Sequence, residues 1–187
     1  SRFRWYSRCT AIPAREIYAG NSEWYKVADK HGFIVVHPSA TPGQMLMSNQ
    51  ACDPDNVPLP AWNFMHNAPD GPDELEFFRA MLEKTCAAHA IDRSRVYATG
   101  HSHGSVMTQV LAMAMSEVFA AVAPCSGIVF QMPDMNIRAL PEIVSRKDVP
   151  VPIWMFGGEQ ELGCCRTNQR RTTRPATACA SGVASTI

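Results

Sequence analysis

Arg95-Val96-Tyr97-Ala98-Thr99-Gly100-His101-Ser102-His103-Gly104-Ser105-Val106 is the stretch whose reading decides the fold. Its first five residues are apolar and β-prone, and a helix-like run follows from Ser105 to Ser116. Between strand and helix stands the pattern G-x-S-x-G. A turn that tight needs small residues on both sides of the serine, and Gly100 and Gly104 supply them. The serine is then expected in a strained backbone conformation with its hydroxyl at the tip of the turn. The backbone N–H of the next residue, His103, is expected to face a developing oxyanion. The dipole of the helix N-terminus adds to that field.

Working outward, the neighbouring segments alternate helix with strand. Upstream, Leu75, Phe78, Leu82, Cys86 and His89 form one stripe along a helix of about 18 residues. Asp70 or Pro72 opens it, with Asp73 and Glu74 in its first turn. Asp92-Arg93-Ser94 reads as a turn before the Val96–Thr99 strand. Further upstream, Asn21 or Ser22 is an N-cap for a helix carrying Trp24, Val27, Ala28 and His31, and Gly32 is its stop. Phe33-Ile34-Val35-Val36-His37 is a continuous apolar strand of the kind buried on both faces of a parallel sheet.

Downstream of the serine, Val106, Val110, Leu111 and Ala114 mark a buried helix. Phe119 to Cys125 reads as a buried strand, Arg138 to Val144 as a short helix, and Pro152 to Phe156 as a strand ending at Gly157-Gly158. This order predicts βαβ units. The expected fold is α/β, a mostly parallel sheet with helices on both faces and right-handed crossovers.

Residues 38–72 hold seven prolines and two aromatic anchors, Trp62 and Phe64. A loop this long either shapes a site or packs as a surface Ω-loop, and both readings stand. Residues 1–20 carry Arg2, Arg4, Arg8 and Arg15 without a clear period. From Gly163 to Ile187 there is no aromatic and no acidic residue. The expected organisation is an ill-defined segment over 1–20, one core domain over 21–162, and a disordered or foreign tail over 163–187.

Composition narrows the class. The chain has 187 residues, enough for one domain with a sizeable core. Lysine plus arginine equals aspartate plus glutamate, 17 each, so nothing points to nucleic acid or an acidic membrane surface. No apolar run reaches the roughly 18 residues of a spanning helix. The first residues, Ser1-Arg2-Phe3-Arg4-Trp5, show no apolar signal segment, and the chain does not begin with Met. Seven cysteines leave at least one unpaired within the chain, and their spacings match no zinc pattern. Cys86 and Cys125 read as buried small apolar residues. Cysteine usage leans the compartment mildly toward secreted. No metal or cofactor is expected.

Several segments resemble a known family. Asn21 to Asp29 followed by Gly32-Phe33-Ile34-Val35-Val36-His37-Pro38 looks like the "W-x-x-x-A-x-x-x-G-F-I-V-x-x-P" segment of α/β-hydrolases of the polyhydroxybutyrate depolymerase and feruloyl/acetylxylan esterase group. Ile91 to Gly104 looks like that group's "I-D-x-x-R-V-Y-x-T-G-x-S-x-G-G". Phe119-Ala120-Ala121-Val122-Ala123-Pro124 is similar to its "F-A-A-V-A-P", and Trp62-Asn63 to a W-N feature of its loop. Val151 to Glu161 sits where the group has "V-P-v-x-x-x-H-G-x-x-D".

The resemblance covers about residues 20–162. It implies Ser102 as nucleophile and Glu161 as triad acid, with Glu159 the second choice and a solvated loop the other reading of both. The chain departs from the group at three places. All six histidines precede Glu161, whereas the triad histidine should follow it. Ala11 to Gly20 shows neither the strand nor the His-Gly pair of the group's oxyanion loop. Ser105 stands where many members have a second glycine. Both ends are therefore expected to be truncated or replaced.

His103, and beside it His101, are the substitutes for the missing base, although residues flanking the nucleophile usually point away from its hydroxyl. Packing or solvent accounts for His31 and His89. The implied function is a serine carboxylic-ester hydrolase acting on a small-molecule or polymeric ester. The alternatives are a catalytically incomplete fragment serving as a binding or structural module, and a peptidase of the same architecture.

Overall fold

The structure, a computed structural model, describes residues 3–9, 23–41, 62–63, 71–127, 149–158 and 181–186, the first and last of these as backbone alone. In chain order they form β1 (Phe3–Cys9), α1 (Trp24–His31), β2 (Phe33–Val36), α2 (Glu74–Ala88), β3 (Ile91–His101), α3 (His103–Ala114), β4 (Ala121–Cys125), β5 (Pro152–Gly157) and β6 (Ser181–Thr186). Six strands make one sheet in the order β2-β1-β3-β4-β5-β6. Neighbours from β2 to β5 are parallel, and β6 lies antiparallel to β5. This is the α/β architecture that the alternating pattern predicts.

The chain reverses its direction of travel across the sheet at β1. From β1 it moves outward to β2; from β2 it crosses back over β1 to β3 and continues to β4. Right-handed crossovers then put α1 on one face and α2 and α3 on the other. The crevice at such a reversal, beyond the carboxyl ends of the strands, is where open α/β sheets bind ligands. Here the reversal lies between β1 and β3, whose residues Cys9 and Gly100 are paired.

α3 is the centre of the core. It packs on β3, β4 and β1, and all twelve of its residues are buried. Val106, Met107, Val110, Leu111, Met113 and Ala114 join Val96 and Ala98 of β3, Val122 of β4, Ile153 of β5 and Phe78 and Leu82 of α2 in one cluster. Burying a side chain of Val, Leu or Met size contributes about 1.5–3 kcal/mol, so this helix is the main apolar contribution to the fold.

Local rules place the other elements. Asp73 caps α2 by accepting the Glu76 N–H at 3.0 Å, so the helix starts after Asp73 rather than at Asp70 or Pro72. It runs for 15 residues, and exposed His89 is its extended C-cap rather than the end of its stripe. Gly32 stops α1 with φ 65°, as a C′ glycine does, and Trp24 meets Phe33 edge-on at 6.2 Å. Glu23 is the N-cap of α1; Asn21 and Ser22 lie outside the described residues. Val27 is exposed, whereas Ala28 carries the buried face.

Other expectations differ from the structure. Asp92-Arg93-Ser94 is a bulge within β3. The Ser94 N–H and hydroxyl both donate to Asp92 Oδ1, and the pairing with β1 jumps from Phe3–Ile91 to Trp5–Val96. Within the segment 1–20, which shows no clear period, residues 3–9 form β1, the strand between β2 and β3. Its arginines mask the strand pattern, and pairing on both sides supplies its place. Within 163–187, expected to be a disordered or foreign tail, residues 181–186 pair with β5, whose outer edge otherwise exposes unpaired backbone groups. Cys86 and Cys125 are free thiols and half-buried rather than buried. The expected helix over 138–144 lies outside the described residues.

Candidate active site

Ser102 stands between the end of β3 and the start of α3 with φ 54° and ψ −117°. A non-glycine residue at positive φ is unfavourable by about 1–3 kcal/mol, so the surroundings must impose it. They do so from both sides. The Ser102 N–H donates to the Cys125 carbonyl at 2.9 Å. The Ser102 carbonyl accepts from the N–H groups of Ser105 at 2.9 Å and Val106 at 3.2 Å, which makes Ser102 the N-cap of α3. Gly100 and Gly104 are buried on either side of the turn, and Ser102 itself is half-exposed.

Behind the turn runs Ser126-Gly127, which follows β4. A Cβ on Gly127 would sit 2.7 Å from the Ser102 oxygen and 3.3 Å from its carbonyl carbon, so only glycine fits. Ser126 also has positive φ, 57°, and its N–H donates to the Phe156 carbonyl of β5 at 2.8 Å. The Gly127 carbonyl accepts from the Ser105 hydroxyl at 2.8 Å and from Gln109 Nε2 at 2.7 Å. Gln109 is 1% exposed.

On the other flank, His103 is buried. Its Nδ1 accepts the Trp62 N–H at 3.3 Å. Burial pushes its pKa down to about 4, so the ring is neutral near pH 7. A neutral imidazole has one acceptor nitrogen, and here it is engaged by Trp62. That nitrogen is the one a base would use, so Trp62 competes with any proton transfer to the His103 side chain.

Trp62 is fully buried against Phe78, with ring centroids 5.4 Å apart. Next to it, the Asn63 N–H donates to Glu74 Oε1 at 3.0 Å, and the Asn63 amide donates to the Pro72 carbonyl at 3.1 Å. Glu74 is buried, and that burial raises its pKa above the usual carboxylate range against the lowering effect of the Asn63 hydrogen bond.

Among the described residues, no side chain hydrogen-bonds the Ser102 hydroxyl. His101 is exposed at the end of β3, and His31 and His89 are exposed on helix ends. Glu159, Glu161 and His66 lie outside the described residues. β5 is parallel to β3 through β4 and ends at Gly157 on the same edge as Ser102; the two glutamates follow it in sequence. Among the described residues, no group of three His, Cys, Asp or Glu side chains could hold a metal ion. No described helix is long and apolar enough to cross a membrane.

Gln109 and Gly127 lie outside the motifs read from the sequence, and Glu74 stands there only as a first-turn helix residue. Gln109 carried a signal, as a large amide inside an otherwise apolar helix. Glu74 and Asn63 meet only through the fold.

Comparison with known proteins bears on this geometry. Residues 14–156 match the family described as Esterase PHB depolymerase. The chain belongs to that family. It is 36% identical over 113 residues to feruloyl esterase B of Talaromyces stipitatus, covering 60% of the chain and 28% of the relative. It is 34% identical over 106 residues to poly(3-hydroxyalkanoate) depolymerase C of Paucimonas lemoignei, covering 57% and 23%. It is 31% identical over 113 residues to acetylxylan esterase A of Aspergillus awamori, covering 59% and 33%. The match thus spans about a quarter to a third of these relatives' length. Among solved structures, one titled ferulic acid esterase aligns at TM-score 0.50 and 17% identity, over 79% of this chain and 56% of that one. The native structure of sOPH aligns at 0.53 and 19%, over 77% and 50%. These likenesses are of fold, an α/β-hydrolase.

Proposed function

We propose that this chain carries the nucleophile of a serine carboxylic-ester hydrolase, with Ser102 as that nucleophile. The observation that carries the reading is the strained Ser102 at the strand–helix turn, at the carboxyl edge where the sheet reverses direction. A family match and relatives named for ester cleavage support it. In this reading the Ser102 hydroxyl attacks the ester carbonyl, the alcohol leaves, and water releases the acyl group from the serine. The backbone N–H of His103 stabilises the oxyanion. Glu161, or failing it Glu159, orients the base. That base is a histidine; the Nδ1 of His103 is engaged by Trp62, and His101 stands exposed at the end of β3.

The substrate in this reading is a carboxylic ester, small or polymeric, within the range of feruloyl esters, acetylxylan and polyhydroxyalkanoate that the relatives' names cover. No cofactor enters the chemistry. The same reading puts the protein outside the cell, where polymeric esters are met.

The test is hydrolysis of p-nitrophenyl acetate and butyrate by this chain beside Ser102→Ala. Turnover or a burst that disappears in Ser102→Ala supports the reading. Equal rates at background contradict it and point to an incomplete hydrolase.

A further inference from the structure

We infer that Gln109 and Ser105 are positioning residues that hold Ser102 in its strained conformation through the carbonyl of Gly127; the inference rests on reading Ser102 as the nucleophile. α3 is buried along its whole length, and an apolar side chain at position 109 would satisfy its packing. A buried amide is costly unless its donors are met. Gln109 Nε2 is met by the Ser105 carbonyl at 3.1 Å and, outside the helix, by the Gly127 carbonyl at 2.7 Å. The Ser105 hydroxyl donates to the same oxygen at 2.8 Å. Two donors from successive turns of α3 thus converge on one carbonyl.

That carbonyl belongs to the residue packed most closely behind Ser102. An added Cβ on Gly127 would lie only 2.7 Å from the Ser102 carbonyl oxygen, so this glycine is a backstop for the turn. Two residues earlier, Cys125 holds the Ser102 N–H. The segment 125–127 therefore grips Ser102 at both its N–H and its carbonyl, and Gln109 with Ser105 fixes that segment against α3. Thr108 gives the contrast within the same helix. Its hydroxyl is buried too, but it donates only to the Gly104 carbonyl one turn back, at 2.8 Å. It closes on its own helix.

A nucleophile displaced by about 1 Å can lose about a hundredfold in rate. Gln109→Met keeps the volume and removes the donors. It is expected to slow fluorophosphonate labelling of Ser102, and kcat on p-nitrophenyl acetate, by roughly tenfold to a hundredfold, with KM changed less than about twofold. Ser105→Ala has a smaller effect of the same kind. The double variant falls short of the product of the two, because both donors serve one carbonyl. Thr108→Val, which also removes a buried donor from α3, retains the wild-type labelling rate. Backbone chemical shifts of Ser102 are measured alongside; they move in Gln109→Met and stay in Thr108→Val.

If Gln109→Met labels at the wild-type rate and leaves the Ser102 shifts in place, or if Thr108→Val slows labelling equally, the positioning role is overturned. If the wild-type chain is not labelled at all, it is the nucleophile assignment that falls. The brace is then judged by the Ser102 shifts, which move in Gln109→Met if it exists and stay if it does not.

Discussion

The two edges of the sheet handle polar groups in opposite ways. At the carboxyl edge, Gln109, Asn63, Glu74 and His103 are buried, and each is committed to a named backbone partner. Toward the amino edge, Arg93 donates twice to Glu83, at 2.7 and 2.6 Å, and Arg79 donates to Glu117 at 2.8 Å, yet all four side chains are about half-exposed. They line a shallow cavity of about 480 Å³ beside α2 and the start of β3. Short distances at the amino edge mean little, because water competes for exposed ion pairs and the ordered side chains lose entropy. Longer hydrogen bonds at the carboxyl edge mean more, because breaking one leaves a buried group unmet. The difference locates where this molecule has committed stability to geometry.

Three substitutions probe that contrast. The largest effect is expected from Trp62→Ala. It opens a cavity against Phe77 and Phe78 and releases the N–H donor of His103 from its packed position. A loss of about 3–5 kcal/mol is expected in denaturant unfolding. A loss under about 1 kcal/mol would place Trp62 outside the core.

The next effect is one of pH. The folded pKa of His103, about 4, lies below its ordinary 6.5, so the unfolded chain takes up the proton first. Stability is complete above about pH 6.5 and falls as pH drops to about 4, by roughly 3 kcal/mol in all. Glu74 acts with the opposite sign. Burial raises its pKa, so its contribution is lost as pH rises through that raised value. The His103 slope is therefore read as the difference between wild type and His103→Gln, and it should vanish in the variant. Parallel curves would show that His103 is not buried as described.

Arg93→Ala is expected to have the smallest effect. The hydrogen bonds from Arg93 hold the Glu83 carboxyl below its usual range, and the same bonds raise the pKa of Arg93, yet both side chains are exposed and screened by solvent. The melting temperature should stay within error of wild type. A drop comparable to that of Trp62→Ala would erase the contrast between the edges.

What the sequence discloses follows the range of the interaction. The turn at Ser102, the stop at Gly32 and the stripe Phe78–Leu82 depend on neighbours within a few positions, and they appear as read. β1 depends on two partners remote in sequence, and Arg4 and Arg8 hide its period. β6 has Val183 as its one large apolar residue, too little for a strand pattern, and the open edge of β5 supplies its pairing. The candidate site divides along the same line. Ser102 is legible because glycine spacing and flanking elements are local. The engagement of His103 by Trp62 joins residues 41 positions apart, and no local rule announces it.

The central claim is that the strained serine at the sheet reversal is a nucleophile. Treating the native chain with a fluorophosphonate and mapping the adduct by peptide mass spectrometry tests it most directly. The account predicts one adduct, on Ser102, that is absent after unfolding and absent in Ser102→Ala. No adduct on the native chain, or one that persists in Ser102→Ala, would contradict it.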